Sequence, residues 1–389
     1  MKNLACSKSW TDVNIDFKNR KVGHCCKSSY YDLPDDYTPD FFTNSETIQQ
    51  RRKDSLNGIK HSDCQKCWTE IDNGNVPFME WMNEWDSFDH VTTEDAVNYI
   101  EIDLDNTCDL ACLYCTADFS SKIAKEEGVK VEDNTRQKDI EIYKQWLVDT
   151  VAKSDREIII SFLGGEPTAS KFFYELLDHI VTCVDTSKIR LEVMTNGNSK
   201  KFLLDKFLTS VEQAQCKLNL HVSNESFKEN SELIRYGLDW KRFEENIHTY
   251  ASCKSIEHIN FDMTMTVMAL PTFPQYVKWL FETLKDYDKT FSFFALPVAW
   301  PKEMDLAILP TSFRKYIDET IQIVNEQNDK KFEQHCRKDF LGHLDSLRKR
   351  IGSNYREDYK EYVKSILEKK QKIKKTDKLI RLLNVEGLS

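Results

Sequence analysis

The sequence predicts an α/β fold: a parallel sheet curved towards a partial barrel of six β-α units, with a small cysteine-bearing segment before it and charged helices after it. Three observations lead there. From about Tyr99 onward, short β-rich runs alternate with longer helical patterns, the signature of repeated β-α units. Eight of the twelve cysteines fall between Cys6 and Cys115 in close groups. A diglycine turn, "GGEP", follows the second β-rich run directly.

The runs are "YIEIDLD" (99–105), "EIIISFL" (157–163), "IRLEVMT" (189–195), "KLNLHVS" (217–223), "INFDMTMTV" (259–267) and "TFSFFALPV" (290–298). Between them lie segments of helical period such as "QKDIEIYKQWLVDTVAKS", "KFFYELLDHIVTCV", "KFLLDKFLTSVEQA", "DWKRFEENIHTYASC" and "TFPQYVKWLFETLKDY". Right-handed crossovers wind such units into one curved sheet, and ligands of such folds gather at the carboxyl ends of the strands. Residues 1–95 differ, with short aromatic-rich pieces and five cysteines, a pattern suited to a small domain held by metal instead of a large core. Beyond "AWPKEMDLAILP" the chain turns into charged helices over about 311–385. The expected domains are therefore 1–95, 96–310 and a C-terminal extension 311–389.

With 389 residues there is room for a large domain and a small companion. No run of about 18 apolar residues can span a bilayer, and "MKNLACSKSW" has no apolar h-region, so we expect a cytoplasmic protein with no membrane partner. A net charge of -10 argues against nucleic acid as the main partner, because phosphate backbones call for a cationic surface. The basic tail, "LEKKQKIKKTDKLIRLL", reads as the solvated face of a terminal helix.

A reducing compartment disfavours disulfides and leaves metal ligation or catalysis as the use for clustered thiols. Cys183, Cys216, Cys253 and Cys336 stand alone in apolar or helical patterns and are expected to be buried small hydrophobes. Cys108, Cys112 and Cys115 lie within eight positions. Four thiolates close a structural zinc site, whereas three on one loop leave an iron-sulfur cluster with one iron open for chemistry.

That triplet after the first strand, with Tyr114 just before its last cysteine and Gly164-Gly165-Glu166-Pro167 after the second strand, resembles the radical S-adenosylmethionine (SAM) superfamily over about residues 97–310. The resemblance implies a partial (β/α)6 radical SAM barrel whose three thiolates hold a 4Fe-4S cluster, with SAM on the open iron. The diglycine would let backbone approach SAM, since no Cβ intervenes. Glu166 would accept from its amino group or fix the turn, and Pro167 would stiffen it. Thr195 and Asn196 close the third strand at the same rim, and Ser223 ends the fourth where many relatives carry an aspartate; all three are candidates to touch the cofactor. "ELIRYGLDWKRFEENI" (232–247) resembles a stretch in one branch of the superfamily; Arg235 there is expected to bind an acidic group or to pair with Glu232 or Asp239 on the surface.

Cys6, Trp10, "VNIDF", "KVGHCC" and "HSDCQKCWTEIDNG" together resemble the twitch domain, the half-size relative of the SPASM auxiliary-cluster module, here placed before the barrel. The resemblance makes Cys6, Cys25, Cys64 and Cys67 ligands of a second 4Fe-4S cluster, with Cys25 preferred to Cys26 for its spacing after Val22. Asn19-Arg20 replaces the usual glycine of the preceding turn. Zinc on Cys25 or Cys26 with Cys64 and Cys67 is the alternative. "PFMEWMNEW" (77–85) is expected to pack this module on the barrel. The resemblance further implies a peptide substrate, with a sugar, nucleoside or other small metabolite as the alternative, and an electron donor such as flavodoxin or ferredoxin. A zinc-binding interaction protein without catalysis is the reading from another class.

Overall fold

The computed structural model describes residues 6–74, 76–85, 96–132, 134–327 and 330–374. It is mixed α/β, with a large, mostly parallel sheet. Two compact units make up the chain, the first from residues up to 105, 132–192 and 209–217, the second from 106–131, 193–208 and 218 onward.

In the first unit, β1 (Asp12–Asp16) forms an antiparallel ladder with β2 (Lys21–Gly23), which pairs in turn with β3 (Tyr31–Asp32). The other edge of β1 pairs in parallel with β4 (Tyr99–Asp103), Asp12 opposite Tyr99, so the amino-terminal segment adds strands to the sheet. A two-residue β5 (Ala111–Cys112) follows in the second unit. β6 (Ile158–Leu163) continues the parallel pairing on the far side of β4. Ile100, Ile102, Ile158, Ile160 and Phe162 are wholly buried. So are Leu147 and Val151 of helix Gln137–Lys153 and Leu177 and Ile180 of helix Lys171–Cys183, the inward positions of amphipathic helices. Phe162 meets Phe173 edge-on at 5.0 Å, and Phe42 packs on Tyr143 and Trp146.

The strand β7 (Ile189–Thr195) begins in the first unit and ends in the second. In the second unit β8 (Lys217–Ser223) is parallel to β10 (Ile256–Met265), and β10 to β11 (Thr290–Pro297), while the short β9 (Arg235–Tyr236) pairs antiparallel with β5. Alternation separates the faces of β10: Ile259, Phe261, Met263 and Met265 are buried, whereas His258, Asn260, Asp262 and Thr264 are partly exposed. On the buried side Phe281, Phe291, Phe293, Phe332 and Phe340 form one aromatic cluster. Helices Arg314–Glu326, Gln334–Arg350 and Tyr359–Lys374 supply the expected helical extension; its last expected residues, 375–385, lie outside the described chain.

All six expected strands are present, with ends shifted by at most three residues, the largest shift being the start of β10 at Ile256. No helix among the described residues is long and apolar enough to cross a membrane.

Candidate functional site

None of the twelve cysteines is disulfide-bonded. Cys216 and Cys253 are buried as expected, but Cys183 is exposed and Cys336 partly so. Both sit on helices at positions that turn away from the core, which corrects the expectation for these two.

The first unit gathers four thiols. Cys6, Cys25, Cys64 and Cys67 line a single cavity with Arg51, Trp68 and Phe78 among its walls. Cys6, Cys25 and Cys67 are less than a tenth exposed, whereas Cys26 is exposed. The strand β2 delivers Cys25, and a 3-10 turn (Ser62–Cys64) running into helix Gln65–Asp72 delivers Cys64 and Cys67 three positions apart, nearly one turn. The Cys6 amide is held by Ser55 Oγ at 3.2 Å, and Trp68 Nε1 donates to His61 O at 2.6 Å, fixing both approaches. Phe78 and Met79 pack against Cys6, Cys64, Cys67 and Trp68. Those two residues of "PFMEWMNEW" therefore wall the thiol cavity. Burial pushes the Cys6 thiol up to about 12 and raises Cys64 and Cys67 as well. Cys25 moves the other way, to about 6, because the Cys26 thiol and the Lys27 amide donate to its sulfur, the latter at 3.3 Å.

Thiols gathered in one largely apolar cavity, three of them buried and Cys64 partly exposed, give up their protons on binding iron, so these four fit a closed cluster. A single zinc is a different demand, since four sulfurs about 2.3 Å from one ion must nearly touch. No group of three or more His, Cys, Asp or Glu among the described residues is spaced for one metal ion.

The second unit carries the triplet on a loop tied at each end. Cys112 lies in β5, opposite Arg235 in β9. Cys115 N donates to Cys112 O at 3.1 Å, Leu113 N to Ile234 O at 2.9 Å, and Cys108 N to Ser121 Oγ at 3.2 Å. All three cysteines are partly exposed. A left-handed backbone explains Gly237 beside this loop: its φ is +106°, and a Cβ would stand 3.1 Å from Asp109 O and against the Lys122 ammonium.

Beneath the loop lies a group the sequence did not reveal. Glu225 is fully buried; its carboxylate accepts from Tyr114 Oη at 3.1 Å and from Arg235 Nε and Nη2 at 3.1 and 2.7 Å. The Arg235 guanidinium lies 5.7 Å from the Tyr114 ring centre. Burial pushes the Glu225 carboxyl up, opposed by the charge and hydrogen bonds of Arg235 and by the Tyr114 hydroxyl. Arg235 is thus a buried strut paired with Glu225, not a surface residue paired with Glu232 or Asp239. Tyr114 reaches Glu225 with its hydroxyl and leaves its ring partly exposed.

Thr195 and Asn196 are buried at the end of β7. Thr195 Oγ1 accepts from Gly197 N at 3.1 Å, and Asn196 Nδ2 donates to Asp109 Oδ1 at 2.8 Å, alongside Asn198 Nδ2 on Asp109 Oδ2 at 2.9 Å. Asn196 and Asn198 thus hold the aspartate just after Cys108. Ser223 ends β8 opposite Asp262 and is partly exposed. On the same partly exposed face, His221 Nδ1 contacts Asp262 Oδ2 at 3.0 Å, Asn260 Nδ2 donates to Asp262 Oδ1 at 2.5 Å, and Ser292 Oγ donates to Asn260 Oδ1 at 2.6 Å.

The glycine turn belongs to the first unit. Gly164 has φ +122°, and a Cβ there would lie 2.8 Å from Asp105 O, which also accepts from Gly165 N at 2.9 Å. Glu166 is buried and caps the 3-10 helix Pro167–Ala169, accepting from Thr168 N and Oγ1 at 3.3 and 2.5 Å.

No family model matches the chain, and no curated protein matches it significantly. Among solved structures it is similar to tagged anSMEcpe with bound AdoMet, at 20% identity and TM-score 0.40 over 57% of this chain and 58% of that one. It is also similar to Streptococcus suis SuiB bound to S-adenosylmethionine, at 13% identity and TM-score 0.41 over 81% and 69%. For SuiB bound to the precursor peptide SuiA the values are 15% and 0.39 over 82% and 70%. The chain thus spans 58% of the length of the first of these.

Proposed function

We propose that the chain is a radical SAM enzyme with an auxiliary cluster, acting on a peptide substrate. The observation that carries the reading is the tethered, partly exposed loop of Cys108, Cys112 and Cys115, three thiols on one loop, one fewer than would close a cluster with protein ligands alone. A reduced 4Fe-4S cluster held there would supply the electron that splits a carbon-sulfur bond of SAM, giving methionine and a 5'-deoxyadenosyl radical able to take hydrogen from substrate.

The chain's own part is placement. The Glu225–Arg235 pair and Tyr114 hold the loop from beneath, and β5 on β9 fixes the Cys112 backbone. The expected contacts of SAM with Tyr114, Gly164, Gly165, Glu166, Pro167, Thr195, Asn196 and Ser223 remain part of this proposal. For Thr195 and Asn196, buried and turn-building side chains favour contact through backbone over contact through side-chain oxygens. Cys6, Cys25, Cys64 and Cys67 would hold the second 4Fe-4S cluster, whose four protein ligands suit electron transfer rather than substrate binding. The domain reading follows: residues 1–95 for that cluster, 96–310 for the SAM site, 311–389 as the helical extension. A cytoplasmic setting with a flavodoxin or ferredoxin donor completes it. Preference for a peptide over a sugar, nucleoside or other metabolite comes from the family resemblance.

Anaerobic purification tests the reading. Brown protein with about eight irons, forming 5'-deoxyadenosine when reduced with dithionite in the presence of SAM, is the expected result. Colourless protein containing zinc would instead make it a structural zinc-binding protein.

A further inference from the structure

Arg51 sits where a helix should bury a hydrocarbon. Helix Glu46–Leu56, capped by Ser45, turns Ile48, Arg51 and Ser55 inward at three- and four-residue spacing. Ser55 on that face holds the Cys6 amide. Arg51 itself is only 4% exposed, lines the four-thiol cavity, and has its Nε buried with no hydrogen-bond partner. No carboxylate among the described residues forms an ion pair with it. Its neighbour Arg52 shows the ordinary arrangement, donating through Nε to Ser9 O at 2.9 Å with its guanidinium over the Trp10 ring.

A buried guanidinium without a counter-charge costs several kcal/mol, so the cavity calls for an anion. Four thiolates around a 4Fe-4S core carry a net charge of about −2, and about −3 after one-electron reduction. That would be the missing partner, and it grows more negative on reduction.

We propose that Arg51 is the counter-charge and hydrogen-bond donor of the auxiliary cluster, raising its reduction potential by stabilising the more negative, reduced state. The inference rests on the auxiliary-cluster reading above. The step is one electron in, from an external reductant, with no bond broken and no proton required. Arg51 is a positioning residue for electron transfer, acting through the cluster and touching no substrate.

The test uses the full chain carrying Cys112→Ala, so that the remaining iron signal belongs to the auxiliary cluster alone, in a dithionite titration followed by electron paramagnetic resonance. Arg51→Gln should change the ratio of reduced to oxidised cluster about tenfold at a given potential, a negative shift of about 59 mV for one electron. Arg51→Lys, which keeps the charge, should stay closer to the parent than to Arg51→Gln. Loss of iron from Arg51→Gln with retention in Arg51→Lys supports the same role. A fully iron-loaded Arg51→Gln protein with the parent's midpoint overturns it. A Cys112→Ala parent holding no iron overturns the auxiliary-cluster reading itself, an outcome visible before any Arg51 variant is examined.

Discussion

The two cysteine groups of this chain solve opposite problems. Cys6, Cys25 and Cys67 are buried, drawn from separate pieces of sequence and walled by Trp68, Phe78 and Met79. Cys108, Cys112 and Cys115 come from one short loop, remain partly exposed, and owe their position to hydrogen bonds and to a buried ion pair below. A closed thiol set isolates what it holds from solvent and favours electron exchange; an open one admits a ligand. The difference teaches that counting cysteines is less informative than asking what occupies the space around them.

Breaking each set should separate the two roles. Cys112→Ala should abolish 5'-deoxyadenosine formation and remove about half of the iron. Cys64→Ala should remove a similar share yet leave slow, uncoupled SAM cleavage. Full iron retention in either variant would erase the distinction.

The next effect concerns how the open loop is supported. Glu225→Gln leaves the Arg235 charge buried without its partner and should cost about 3–5 kcal/mol. Denaturant titration of the protein would reveal it, and a loss under about 1 kcal/mol would show that the pair does not hold the loop.

A smaller effect is pH-dependent and lies at the glycine turn of the first unit. Burial raises the Asp103 carboxyl to about 6. Since its folded value exceeds the unfolded one near 3.9, its stabilising share is fully present below about pH 4 and lost as pH rises through about 6, a decline of about 2–3 kcal/mol. Asp103→Asn should flatten that part of the stability profile; an unchanged slope between pH 4 and 6 would contradict the assignment. Least in size, Gly164→Ala should cost about 1–3 kcal/mol from its positive φ, with some addition from the contact on Asp105 O. Thermal unfolding at neutral pH checks it, and an unchanged midpoint would mean that the turn relaxes freely.

Much of the fold was legible because alternation and helical period are local signals. The ends of β7 and β8 are where the sequence places them. Local signals do not say which strand pairs with which, so the parallel register of Asp12–Asp16 on Tyr99–Asp103 came only with the structure. The triplet and the diglycine turn were legible as motifs. Glu225 was not: two residues beyond a strand end, a glutamate reads as surface, and its burial depends on Arg235 arriving from the far side of a helix. Arg51 escaped for the same reason, since helical period marks the position as inward while the side chain argues for solvent. Cys183 and Cys336 failed the opposite way, small apolar residues whose helix phase leaves them outside.

The central claim is that the Cys108–Cys112–Cys115 loop holds a cluster with one iron lacking a protein ligand. Electron-nuclear double resonance on the reduced Cys64→Ala protein, with SAM isotopically labelled in its amino and carboxylate groups, tests it most directly. Coupling between the cluster's electron spin and those labelled nuclei is the expected result. A reduced cluster that shows no such coupling at saturating SAM would contradict the claim.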